Sequence, residues 1–350
     1  MRLRHLSLFL ITVLPASNLA GQPAPSKDWI YISGLQQGDL AVFDSNAKLV
    51  HLIAVRDESG IIGASVSSNG KTLFVADDDR LRVLDAKTAS VTAELRYEGA
   101  LRLLGGGPVM HLSADDRLLL IKTYDFGAAA AGVRIFNVAS GGFAAMGLRS
   151  RACPVPDFVS GKEGTIVAIC PDVIQILKEA PQIPGDIPEV ERVLYPLPDI
   201  ASAGLTADGR ALYAVDSIQA DGSWTLATWE RGSAQMRTID LRQTLDIPAG
   251  AGQHSRRAWV AVSPDGRLIA LLEGARVWIL DRATLKPVRQ LDLPSDGNCL
   301  VFTPDSQQLF TLDGPELVRM PVRGGDLTRL LLPGLHPSRG PKAMFTAPAP

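Results

Sequence analysis

A chain that breaks into short apolar runs, repeats one hydroxyl-led turn at steps of 40 to 57 residues, and shows no helical period long enough for βαβ units predicts an all-β fold. The clearest unit spans 258–294. It reads AWVAV, RLIAL, RVWIL and PVRQLDL, four strand-length runs parted by turns. Its first turn, Ser263-Pro264-Asp265-Gly266, puts Pro where φ near −65° is wanted and Gly where a positive φ is needed. One four-stranded unit cannot bury both of its faces, so recurrence decides the architecture.

The unit recurs. The hydroxyl residue of the turn stands at 67, 113, 160, 206, 263 and 303, steps of 46, 47, 46, 57 and 40. The third strand recurs as DLAVFD, RLRVLD, VRIFNV, VIQILK, LATWER, RVWILD and LVRMPV. That makes seven third strands against six first strands. Trp29-Ile30-Tyr31-Ile32 reads as a second strand lacking its first, and Ala343-Met344-Phe345-Thr346 aligns with Leu300-Val301-Phe302-Thr303. A period of 40 to 50 residues with four strands per unit is that of a β-propeller. The expectation is therefore a seven-bladed propeller of four antiparallel strands per blade, its ring closed by the C-terminal strand joining the N-terminal blade. A sandwich or a pair of unrelated β-domains is the competing architecture, and cutting the chain in two would break the period.

The N-terminus carries an address. Met1-Arg2-Leu3-Arg4-His5 is basic, and 6–14 is apolar but too short to span a bilayer. A signal peptide over 1–20 is expected, leaving 21–350 as a single propeller domain with no membrane anchor, exported and periplasmic in a Gram-negative cell. A net charge of −2 and a pI of about 6.2 lack the basic face nucleic acid demands.

Export permits disulfides. Cys153 and Cys170 flank the turn at 160–164, and a hairpin centred between 160 and 163 sets them opposite one another, either as a disulfide or as two separately buried thiols. Cys299 is left over as a small buried hydrophobe. No CxxCH marks covalent haem, and no GxSxG, GxGxxG before a helix, HExxH or Walker loop is present. His51, His111, His254 and His336 fall in different units without metal-ligand spacing, so they read as surface or turn residues and no metal is expected.

One pattern points to binding. The loops between second and third strands carry an acid in most units: Asp77, Asp125, Asp172, Asp216, Glu273 and Asp313. In a propeller these loops share a rim, where several carboxylates would favour a cation such as a small amine. The alternative is that they make Asx turns. The same rim carries longer insertions at 124–132, 216–224 and 243–257. Tyr124 and Trp224 are candidate contact aromatics there, and His254, Arg256 and Arg257 candidate counter-charges.

The unit VSPDGRLIALLEGARVWILDRATLKPVRQLDLP, and more loosely VSSNGKTLFVADDDRLRVLDAKTASVTAELRY, resembles the YVTN-type propeller repeat. An exported chain of this size and repeat number also looks like the propeller (β or heavy) subunit of quinoprotein amine dehydrogenases. That resemblance implies a non-catalytic scaffold forming part of a substrate pocket, with no cofactor bound by this chain and a quinone and haem on partner subunits. A free-standing propeller that binds a protein or small ligand is the second reading, and a lactonase-type propeller enzyme the third.

Overall fold

The structure is a computed structural model. It describes residues 28–33, 40–46, 48–53, 63–77, 80–96, 110–113, 115–125, 130–143, 148–149, 157–160, 166–169, 173–177, 190–194, 200–216, 223–247, 258–332 and 343–350. Among them, six antiparallel sheets have four strands each, five of them in chain order from inner to outer edge. One further sheet, the third in the chain, has an outer edge made of two fragments, Gly142–Phe143 and Leu148–Arg149, both on Ala130–Asn137. A single helical turn, Leu241–Thr244, is the only helix among the described residues.

The first sheet is assembled from both ends of the chain. Ala343–Pro348 pairs antiparallel with Asp28–Ser33, setting Thr346 opposite Ile30, and Leu40–Asp44 and Leu49–Ile53 follow outward. The inner strands of successive sheets touch one another around a cycle. Gly63–Val66 meets Met110–Leu112, which meets Asp157–Ser160, then Ile200–Leu205, Ala258–Val262 and Gly297–Phe302. Gly297–Phe302 touches Ala343–Pro348, which returns to Gly63–Val66. This is a β-propeller architecture, and it leaves only short outer edges unpaired.

Burial shows how the strands are used. Ala211–Asp216 is buried throughout and Leu268–Glu273 nearly so. Each sheet is sandwiched between two others, so its middle strands have no wet face. Alternation instead selects the neighbour. In the fifth sheet Ala211, Tyr213 and Val215 join Leu271 and Trp278 of the sixth, while Leu212 and Ala214 pack on the opposite face. In the sixth, Leu271 faces back to the fifth sheet while Ala270 and Leu272 face forward to Leu309 and Val318 of the seventh. Outer strands return to alternation, as in Pro287–Asp292.

The recurring turn is a hydrogen-bonded device. Ser263 Oγ donates to Asp265 Oδ1 at 2.6 Å and accepts from the Leu268 amide at 2.9 Å, while Asp265 also takes the Arg267 amide. Ser67–Asn69, Ser113–Asp115, Thr206–Asp208 and Thr303–Asp305 repeat the hydroxyl-to-acceptor bond at 2.6–2.8 Å. The turn needs a left-handed residue, supplied by Gly266 at φ 69°. Two units use Asp116 (φ 58°) and Ser306 (φ 61°) there instead, and both reach back to the preceding sheet. Asp116 accepts from the Ser68 amide and hydroxyl, and Ser306 Oγ accepts from the Asp265 amide.

The fourth sheet corrects the hairpin register. Phe158 pairs with Ala168 and Ser160 with Ile166, three residues from the register that would set Cys153 against Cys170. Both cysteines lie outside the described residues. Cys299 is buried, in a bulge where its φ is 64°.

Candidate functional site: the acid-bearing rim

Second strands end at one rim of the molecule, and the acids stand at those ends. Asp125, Asp216, Glu273 and Asp313 are the last residues of Leu118–Asp125, Ala211–Asp216, Leu268–Glu273 and Gln308–Asp313, and Asp77 directly follows Thr72–Ala76. Asp172, His254, Arg256 and Arg257 lie outside the described residues. The expected insertion at 124–132 is mostly strand. Leu118–Asp125 and Ala130–Asn137 pair over eight residues, with Tyr124 opposite Ala131.

Four of these acids are buried rather than exposed. Asp77 is 1%, Asp216 3%, Asp313 3% and Glu273 5% exposed. A buried carboxylate is tolerable only when paired, and three of these are paired within their own unit. Asp77 Oδ1 accepts the Arg80 amide at 2.9 Å and its Oδ2 meets Arg82 Nη1 at 2.9 Å. Arg82 then continues to Glu94 and Glu94 to Arg80, a charge ladder across the second sheet. Asp216 Oδ1 accepts the Thr225 amide at 2.8 Å, which ties the ends of the 216–224 segment together. Asp313 accepts from Ser295 Oγ and from Arg329 Nη2, and the same arginine meets Glu316.

Glu273 differs. Its one extra methylene carries the carboxylate past the backbone amides that the aspartates reach, and Oε1 has no hydrogen-bond partner. Arg242 Nη2 stands 3.8 Å away, beyond hydrogen-bond reach. Burial pushes its pKa up from the ordinary glutamate value, opposed by the charges of Arg242 and Arg276. Arg242 comes from Leu241–Thr244, a turn capped by Asp240, whose carboxylate accepts the Arg242 and Gln243 amides. Leu241, Leu245 and Ile247 bury that turn in the seam between the fifth and sixth sheets.

Trp224 does not project as a contact aromatic. It is fully buried, its ring 5.6 Å from that of Trp278. The large apolar ring finds its greatest loss of water contact inside the seam. Glu273, Arg276 and Trp278 share one face of the sixth sheet, since Glu273 pairs with Arg276 and Leu271 with Trp278. Arg276 lies 5.7 Å over the Trp278 ring and binds Asp292 at 2.8 Å. Arg242, Trp278, Arg82 and Arg329 were not singled out from sequence. Asp240 followed by Leu241 and Leu245 at helical spacing was the available signal for the capped turn that carries Arg242.

The histidines also divide. His51 packs edge-on against Trp29 at 5.5 Å. His111 is a half-buried strand residue and not a turn residue: it sits in inner strand Met110–Leu112, where burial lowers its pKa to about 4 and keeps it neutral. His254 and His336 lie outside the described residues. Among the described residues, no three His, Cys, Asp or Glu side chains gather as a metal-binding group, and no helix is long and apolar enough to cross a membrane.

No protein-family description matches the sequence, and no curated protein does. Solved structures do. A functionally unknown protein from Desulfotomaculum acetoxidans DSM 771 matches over 92% of this chain and 99% of its own, with TM-score 0.64 and 11% identity. Kuenenia stuttgartiensis hydrazine synthase matches over 77% and 78%, with TM-score 0.55 and 15% identity. A chain of a mitotic checkpoint complex matches over 95% and 89%, with TM-score 0.54 and 13% identity. At such identities these likenesses establish the propeller fold and nothing of the chemistry.

Proposed function

We propose that the protein is an exported, seven-bladed propeller that serves as a non-catalytic scaffold subunit in a periplasmic complex of the quinoprotein amine dehydrogenase kind. The blade count rests on the cycle of inner-strand contacts and on the sharing of the first sheet between both chain ends. The observation that carries the scaffold role is the pairing of the rim acids. Asp77, Asp216 and Asp313 are spent on the chain's own amides, hydroxyls and arginines, which suits them to hold a rigid wall rather than to act on a substrate. In this reading the quinone and haem belong to partner subunits, which dock on the propeller, and the amine substrate enters at their junction. Native purification from the periplasm of the source tests it: a haem- or quinone-bearing subunit is expected to co-purify, and a mature chain beginning near residue 21 is expected. Recovery of the chain as a monomer without such a partner overturns the subunit role.

A second reading, a free-standing propeller that binds a protein, draws on the outer strands. Leu49, Leu52, Val91, Val288 and Leu331 are 40% to 70% exposed there, on the first, second, sixth and seventh sheets. A co-purifying partner that carries neither haem nor quinone supports this reading.

A further inference from the structure

The seam between the fifth and sixth sheets holds three buried polar atoms without a hydrogen-bond partner: Trp224 Nε1, Trp278 Nε1 and Glu273 Oε1. Their residues are 0%, 1% and 5% exposed. They belong to one place. The two indoles touch, Glu273 and Trp278 share the sheet face turned toward them, and Arg242 approaches Glu273 from the capped turn packed into the same cluster. A buried polar group left unpaired costs about 1–3 kcal/mol, so three in one seam mark a position that a bound molecule completes.

The donor inventory identifies its chemistry. Both indole N–H groups only donate, and so does the Arg242 guanidinium. An ammonium ion would satisfy Glu273 alone, leave both indoles unpaired and face Arg242. A carboxylate has two oxygens with about four acceptor sites, which accommodates both indoles and a protonated Glu273, with the positive charge of Arg242 beside them. The geometry points to a binding site for a small monocarboxylate in this seam, with Glu273 taking up one proton from solvent as the anion enters. The carboxyl then donates to one carboxylate oxygen, and no other bond is made or broken. The upward shift of Glu273 by burial suits that uptake. Among the described residues, the other charged and titratable groups of this seam have partners or places of their own. Arg276 is held by Asp292, Asp216 by the Thr225 amide, Asp240 caps the turn, and Tyr213 lies in the same seam. The proposal does not depend on the subunit role above.

The test titrates the full mature chain with acetate, and with chloride as the control for anion charge alone, following tryptophan fluorescence and calorimetry in two buffers of different ionisation enthalpy. Saturable acetate binding that tightens as pH falls, with about one proton taken up and no response to chloride, is expected. Glu273→Gln keeps a neutral donor, so it should bind acetate with proton uptake and pH dependence lost. Trp278→Phe, which keeps the ring but removes the N–H, should weaken binding about tenfold, equivalent to about 1.4 kcal/mol. Circular dichroism confirms that each variant is folded. Absence of saturable binding in both the parent and Glu273→Gln overturns the proposal, as does equal binding of chloride. A crystal structure grown with acetate in which only ordered water meets the three atoms also overturns it.

Discussion

The two rims of the molecule use the same kind of residue in opposite ways. At the rim of the recurring turns, an Asp or Asn accepts from a neighbouring hydroxyl and a backbone amide, and the hydroxyl in turn takes the amide five residues on. Those carboxylates stand near water; the Thr206 hydroxyl holds Asp208 below the ordinary range, and at Asp265 partial burial is outweighed by the hydrogen bonds from Ser263 and the Arg267 amide, which hold it low as well. At the opposite rim Asp77, Asp216 and Asp313 are buried and hydrogen-bonded one by one, while buried Glu273 meets only Arg242, at 3.8 Å. A carboxylate built into a redundant local network is architecture. One carried past its local amides by an extra methylene is held by burial against its own charge.

Breaking the turn rim should cost most where the ring also closes. At Gly70, with φ 73°, an added Cβ would come within 2.0 Å of the Pro348 carbonyl oxygen of the C-terminal strand. Gly70→Ala is expected to lose about 3 kcal/mol in urea unfolding, from strain and from displacement of that strand. Ser263→Ala should cost about 2 kcal/mol, because it leaves the Leu268 amide and Asp265 without the buried hydroxyl. Ser263→Thr, the residue already used at 206 and 303, should be nearly neutral in the same measurement. Asp116→Ala should cost about 1 kcal/mol through loss of its bonds to Ser68.

The smallest effect at neutral pH should come from the other rim, and its signature is the pH profile. A folded-state pKa raised above the unfolded value gives stability that is full below the ordinary glutamate value of about 4.3 and is lost as pH rises through the folded value. Glu273→Gln removes that loss, so its stability relative to the parent should climb with pH above that window. Asp265→Asn should do the reverse, since its lowered pKa contributes above the unfolded value and fades as pH falls through the folded one. Parallel profiles for the two variants would erase the contrast between the rims.

Much of the fold was legible because it is written in local repeats. Ser263-Pro264-Asp265-Gly266 names its own turn, and the alignment of Thr346 with Thr303 anticipated the strand that completes the first sheet. The site was less legible. Asp77 and Glu273 occupy equivalent positions in the repeat, and nothing in that position tells a hydrogen-bonded carboxylate from one that meets only an arginine at 3.8 Å. Trp224, placed by its loop among contact residues, is a core residue because the sixth sheet covers it.

The sequence by itself determined the β-class, the repeat, the turn chemistry and the pairing of the chain ends, since these depend on residues within one unit or on its periodic return. Only the tertiary structure decided which faces are wet, which acids find partners and where the indoles lie. Those depend on the neighbouring sheet, which sits beside a strand in space but about one whole repeat away along the chain.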